Sequence, residues 1–192
     1  MHRQVIALVL APALAAADPA PGDLGDQGIG VEIGAASGGR ATPGGLRVAG
    51  HYLYQLSDDD WFDGTASFTF GGGGAACFRD RSAHLVCDHG IADGAGIQLA
   101  GSIRRMFDVH EGIRPFARLG VGLSLVRFSG DQLSGAAIPV HAGGGVRAVV
   151  APSIAVVVEG ELEVGFGTFN RGLGLEPQFS LGVAMGVEFK LN

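Results

Sequence analysis

The feature of this sequence that most restricts its fold is a two-residue alternation of apolar with polar or small side chains. It is clearest in residues 179–191, where one face is wholly apolar and the other carries serine, glycine, alanine, glutamate and lysine. Such alternation is typical of a β-strand with one apolar face. The same pattern recurs in seven other segments, residues 28–36, 46–56, 61–70, 94–107, 114–128, 138–150 and 154–166. The sequence therefore predicts an all-β fold with eight strands.

The lengths of these segments favour strands that cross a membrane. Most have about 9–13 residues, close to the ~9–11 that a tilted strand needs to cross a bilayer, whereas soluble strands usually have ~5–6. Three connections are short, residues 57–60, 108–112 and 151–153, and four are longer, residues 37–45, 71–93, 129–137 and 168–176. Outer-membrane barrels have short turns on one side and longer loops on the other. We therefore expect an eight-stranded antiparallel up-and-down transmembrane β-barrel, with a soluble lipocalin-like barrel as a weaker alternative.

Composition argues against other classes of protein. Glycine accounts for 34 of the 192 residues, and a helical bundle is disfavoured because each interior helical glycine costs about 1 kcal/mol relative to alanine. Hydrophobic residues make up 47% of the chain and charged residues 17%, which is unlike a disordered protein. The formal net charge of −6 makes nucleic acid a poor candidate partner.

The N-terminus has the pattern of an export signal. A single arginine precedes a short apolar run, and Ala15-Ala16-Ala17 supplies a small-residue cleavage site. We expect residues 1–17 to be a secretory signal peptide, residues 18–27 a flexible leader and residues 28–192 the barrel domain. This interpretation places the protein in the bacterial outer membrane.

The aromatic residues predict two girdles, one at each membrane interface, because none lies in the middle of a predicted strand. Phe116 and Phe128 lie at the alternate strand positions that are predicted to face the lumen (the lumen parity), so they fit the girdles less well. The predicted girdle residues are Tyr52, Tyr54, Trp61, Phe62 and Phe189 near the short turns, and Phe68, Phe70, Phe166 and Phe179 near the longer loops.

Charged residues with the opposite parity predict a network inside the barrel. The network comprises Glu32, Arg47, Arg104, Arg118, Arg147, Glu159, Glu161, Glu163, Glu188 and Lys190. Eight strands leave an interior that side chains fill, and enclosed charges are costly unless they pair. One interpretation is a solid polar core in which His51 and His141 are hydrogen-bonded fillers. The other is a narrow path for ions or a small-ligand site.

Cys77 and Cys87 lie close together in the second long loop. In an exported protein such a pair predicts a disulfide. Free thiols, or a zinc site that includes His84 and His89, remain alternatives, although the spacing of the cysteines is long for a zinc knuckle. A disulfide would shorten a loop that is either a binding element for an extracellular partner or simply solvated.

No enzyme or cofactor motif is present in the sequence. It contains no G-x-S-x-G, H-E-x-x-H or phosphate-binding glycine loop. We therefore expect no enzymatic activity, no cofactor and no metal. A lipid-modifying activity is a weak alternative, because no histidine falls on the proposed lipid face.

Three segments resemble a known family. They are RPFARLGVGLSL (residues 114–125), HAGGGVRAVVAPSIAVVVEGE (residues 141–161) and SLGVAMGVEFKLN (residues 180–192). With them the chain resembles the outer membrane β-barrel domain family, the small OmpA/OmpX-type, porin-like eight-stranded barrels. The resemblance implies a monomer that contacts outer-membrane lipids, lipopolysaccharide and the barrel assembly machinery. The expected function is structural or surface-interacting through extracellular loops, with a narrow channel of the same fold as the alternative.

Overall fold

A computed structural model describes residues 27–40, 42–73, 76–79, 82–88, 93–108, 112–128, 133–170 and 175–191. The predicted signal peptide lies outside these residues, as does the predicted leader apart from Gln27. Within the described part of the chain, no helix is long and apolar enough to span a membrane.

Eight long strands form a closed antiparallel barrel, and two short strands form a separate hairpin. The barrel strands are β1 (Gln27–Arg40), β2 (Gly44–Gln55), β3 (Asp60–Gly73), β6 (Asp93–Met106), β7 (Ile113–Phe128), β8 (Leu133–Ala151), β9 (Ile154–Phe169) and β10 (Glu176–Leu191), and the hairpin is β4 (Ala76–Arg79) with β5 (Leu85–Asp88). Each barrel strand pairs with the next along the chain, and β1 pairs with β10 to close the ring. The predicted fold class is confirmed.

The first predicted long loop, residues 37–45, is largely strand. Beyond Ala36, β1 still pairs with β10, with Ser37 opposite Leu181 and Gly38 opposite Ser180, so the connection shrinks to residues 41–43. The prediction ended the strand where glycines interrupt the apolar alternation. Backbone pairing continues there because it needs only N–H and C=O groups.

The two faces of the wall differ sharply. Large apolar side chains point outward from every barrel strand, for example Val31, Leu99, Leu123 and Val183. Charged and polar side chains occupy the alternate, inward positions. A surface of this kind suits lipid and leaves the polar groups to satisfy one another inside.

The structure corrects one of the predicted girdle residues. Trp61 points into the barrel and is only 1% exposed, because it shares the parity of Asp63 and Thr65 on β3. It packs in a buried cluster rather than at a lipid interface. The structure places the other eight on the outer face, namely Tyr52, Tyr54, Phe62, Phe68, Phe70, Phe166, Phe179 and Phe189.

Candidate functional site

The middle of the lumen is filled by charged and histidine side chains from all eight barrel strands. Their inward direction follows from strand alternation, and an eight-stranded barrel is just wide enough for side chains to meet across it. The buried residues of this layer are Glu32, His51, Asp63, Arg104, Arg118, His141, Arg147, Glu159, Glu161 and Glu188. Seven of these ten belong to the network predicted from the sequence.

Arg118 on β7 contacts three carboxylates. Its Nη2 lies 2.6 Å from Oε1 of Glu159 and also pairs with Glu161, while its Nη1 lies 3.6 Å from Oδ2 of Asp63. One guanidinium therefore ties β7 to β9 on one side and to β3 on the other, each two strands away in the barrel. A guanidinium can make several such contacts at once because it presents five N–H donors in a fixed, planar arrangement.

A second chain of ion pairs runs from β3 to β8. Arg104 Nη2 lies 2.7 Å from Oδ2 of Asp63, and Arg104 Nη1 pairs with Glu188 on β10. Arg147 Nε donates to Oε2 of Glu188 at 2.9 Å. Asp63 and Glu188 thus each serve two cationic partners, which offsets part of the desolvation of these groups.

The two buried histidines join the same network. His51 places Nδ1 at 2.9 Å from Oδ1 of Asp63 and Nε2 at 3.2 Å from Oε2 of Glu32. His141 Nδ1 lies 3.4 Å from Oε1 of Glu161. Asp63, which links His51, Arg104 and Arg118, was not included in the predicted network. Its parity on β3, shared with Thr65 and Ser67, was the signal that could have identified it.

Three of the predicted network residues lie towards the ends of the lumen. Arg47 Nη1 is 3.1 Å from Oε2 of Glu161, on the side nearer the longer loops. Glu163 lies one inward position further along β9, partly buried. Lys190 is partly buried at the last inward position of β10 and makes no ion pair with any described residue, so it stands apart from the network.

An apolar cluster covers the network at the short-turn end. It consists of Leu53, Trp61, Met106, Phe116 and Val157. The guanidinium carbon of Arg104 lies 4.5 Å from the centre of the Phe116 ring, a cation–π contact that joins the cluster to the charges. Phe116 therefore faces the lumen, as its parity indicated.

A second apolar cluster lies at the long-loop end, where Val126, Phe128 and Leu133 are buried and Phe169 packs against them. Two small cavities lie beside Glu163, with volumes of about 30 Å³ and 20 Å³. Each has room for one or two water molecules. The lumen is thus built as charges between two apolar layers.

The hairpin β4–β5 projects from the predicted second long loop. Its backbone register places Cys77 directly opposite Cys87. The side chains of both cysteines, and the whole of His89, lie outside the described part. Among the residues that are described, no three His, Cys, Asp or Glu side chains are arranged to hold a metal ion.

Comparison with known proteins supports the fold. No family model matches this sequence, and no curated protein is similar to it in sequence. The solved structure of Neisserial surface protein A (NspA) is similar with a TM-score of 0.63 at 15% identity, over 87% of this chain and 98% of that one. The chain has the fold of a small outer-membrane β-barrel.

Two further solved structures are similar over most of their length. One is Ail, the attachment invasion locus protein of Yersinia pestis, with a TM-score of 0.49 at 16% identity over 85% of this chain and 95% of that one. The other is the outer membrane enzyme PagL, with a TM-score of 0.46 at 13% identity over 85% and 99%. A fold does not by itself determine a function, so function is argued below from this chain's own residues.

Proposed function

We propose that this protein is an integral outer-membrane barrel without enzymatic activity, whose filled lumen makes it a rigid support for loops at the cell surface. The observation that carries the proposal is the layer of buried ion pairs between two apolar clusters. A path for solutes would have to break pairs such as Arg104–Asp63 at 2.7 Å and Arg118–Glu159 at 2.6 Å.

Support for the membrane location comes from the outward apolar face and from the predicted export signal in residues 1–17. In this orientation the short turns face the periplasm and the longer loops face outward. Outer-membrane lipids and lipopolysaccharide would then contact the wall, and the barrel assembly machinery would insert it.

Support for a non-enzymatic role comes from the positions of the histidines. His51 and His141 are buried in the lumen against carboxylates, where a lipid substrate at the outer face would not meet them. The described outer face between the girdles is aliphatic, aromatic or glycine, without the paired polar groups that general acid–base catalysis needs.

Planar-bilayer recording tests the filled lumen. The purified, refolded protein is expected to give no steady open-channel current. Steady currents of defined conductance would contradict the filled lumen and support the alternative, a narrow ion or small-solute channel. A boiled sample provides the control for currents that arise from detergent or from unfolded protein.

The part proposed to interact with other surfaces is the segment around β4–β5. An isolated two-stranded hairpin is marginally stable, and a disulfide between the register-paired Cys77 and Cys87 would hold it. Deletion of residues 78–86 is expected to leave the barrel folded and to remove binding to host or bacterial surfaces. Unchanged binding after this deletion would contradict the role of the hairpin.

A further inference from the structure

His51 lies inside the barrel between two carboxylates that belong to different strands. Its Nδ1 is 2.9 Å from Oδ1 of Asp63 on β3, and its Nε2 is 3.2 Å from Oε2 of Glu32 on β1. The three side chains are almost completely buried, with 1% of His51, 4% of Glu32 and 0% of Asp63 exposed. The imidazole ring of β2 therefore connects its two neighbouring strands in an enclosed part of the lumen.

A neutral imidazole does not suit both of these contacts. One nitrogen of a neutral ring carries a hydrogen, and the other presents a lone pair. The nitrogen without hydrogen would direct its lone pair at a carboxylate oxygen no more than 3.2 Å away, where little water screens the repulsion. The doubly protonated ring donates from both nitrogens, and its positive charge offsets both carboxylates.

The hydroxyl group of Thr65 supports this assignment. Its Oγ1 lies 3.2 Å from Nδ1 of His51 and donates to Oδ1 of Asp63 at 3.2 Å. A hydroxyl has only one hydrogen to donate, so the same group does not also supply a hydrogen to Nδ1. The ring nitrogen is thus left to donate to the carboxylate of Asp63.

The two carboxylates differ in their other cationic contacts. Arg104 and Arg118 both approach Oδ2 of Asp63 and leave Oδ1 to His51. Among the described residues, Glu32 contacts no cationic side chain other than His51. The remaining charged groups near this cluster are Glu159 on β9 and Glu188 on β10, the latter bound to Arg147 on β8.

We propose that His51 is an imidazolium in the folded barrel at neutral and mildly alkaline pH, and that loss of its proton weakens the connection between β1, β2 and β3. A histidine in an unfolded chain loses its proton near pH ~6.5. Above that pH the folded protein holds one proton more than the unfolded chain. The stability that His51 contributes is therefore complete below about pH 6.5 and declines as the pH rises.

The first test compares the wild-type protein with His51→Gln by urea titration in detergent at a series of pH values, followed by Trp61 fluorescence. Glutamine can still donate to Asp63 but never carries a charge. We expect the ratio of the unfolding equilibrium constants, wild type over variant, to be constant below about pH 6 and to rise about tenfold per pH unit above about pH 7.

A neutral buried His51 predicts the opposite sign. The ratio would then fall as the pH rises through about 6.5, because only the unfolded wild-type chain would bind the proton, and it would be constant at higher pH. This result, or a ratio that does not change with pH, would overturn the proposal.

His141→Gln is the matched control. His141 is also 1% exposed, but the carboxylate in contact with it, Oε1 of Glu161, lies 3.4 Å from Nδ1 and leaves Nε2 without one. The ratio for this variant is not expected to rise above about pH 7. A rise of the same size for both variants would contradict a role for the two carboxylates that face His51.

NMR of the ring nitrogens in protein labelled at histidine locates the proton, and it needs no variant if His51→Gln does not fold. At about pH 8, where an ordinary histidine is neutral, one ring is expected to carry hydrogen on both nitrogens. A spectrum in which every ring has only one protonated nitrogen would overturn the proposal. That outcome includes the arrangement in which Glu32 holds the proton and Nε2 of His51 accepts it.

Discussion

Removal of the Arg118 guanidinium is the sharpest test of the lumen network. Arg118→Met keeps most of the side-chain length but leaves Asp63, Glu159 and Glu161 without their shared cation. Breaking a buried pair by removing one partner costs about 3–5 kcal/mol. Since most proteins have a free energy of unfolding of about 5–15 kcal/mol, the variant is expected to lose a large share of its stability.

Urea titration of the protein in lipid vesicles or detergent measures this loss. Trp61 is the only tryptophan and is 1% exposed, so its fluorescence should shift to longer wavelength as the barrel opens. Arg105→Met is the matched control, because the Arg105 side chain is 62% exposed and lies 3.9 Å from Asp60. An exposed pair of this kind contributes less than about 1 kcal/mol.

A second substitution separates charge imbalance from loss of packing. Adding Glu159→Gln to Arg118→Met removes one of the uncompensated carboxylates, so the double variant is expected to be more stable than Arg118→Met alone. The reasoning is refuted if Arg118→Met costs no more than Arg105→Met. A double variant less stable than Arg118→Met would likewise show that electrostatic imbalance is not the cause.

Three other outcomes are expected. Gly145→Ala should destabilise the barrel by about 1–3 kcal/mol in the same titration, because a Cβ there would collide with the carbonyl oxygen of Val158. Gly50→Ala is the control and should be nearly neutral, because its Cβ would meet only one atom, at 4.0 Å. Alkylation of the unfolded protein with and without reductant should show Cys77 and Cys87 joined, and two free thiols before reduction would contradict this. The folded protein should migrate differently in detergent gels before and after boiling; unchanged migration with solubility in plain buffer would contradict the membrane barrel.

The eight strands and their inward and outward faces were predictable because the wall separates two very different surroundings. Every outward position between the girdles meets lipid, so alternation persists through whole strands, as in residues 179–191. A soluble sheet tolerates more exceptions on its exposed face. Parity alone also indicated that Phe116 and Phe128 face the lumen, and the structure places both there.

The partners inside the lumen were not predictable by the same reasoning. Parity shows that a side chain enters the barrel, but the height at which it meets others depends on the stagger between strands. Arg104 on β6 pairs with Glu188 on β10, strands that are not neighbours in the sheet. Trp61 was assigned to the outer face because its position near a strand end was weighed above its inward place in the alternation. The structure packs it instead in the buried apolar cluster at the short-turn end of the lumen.

Many of the glycines make room inside the barrel for the charged side chains of the ion network. Several inward glycines lie beside long inward side chains on the neighbouring strand. A Cβ on Gly186 would collide with Cγ of Glu32, and one on Gly145 would lie 2.9 Å from Cβ of Glu159. Added methyl groups would therefore push the charged side chains out of the contacts that balance them. We infer that the glycines of the barrel wall and the charged side chains in the lumen cannot change independently of each other. Substitutions that leave the barrel folded are therefore expected mainly in the loops.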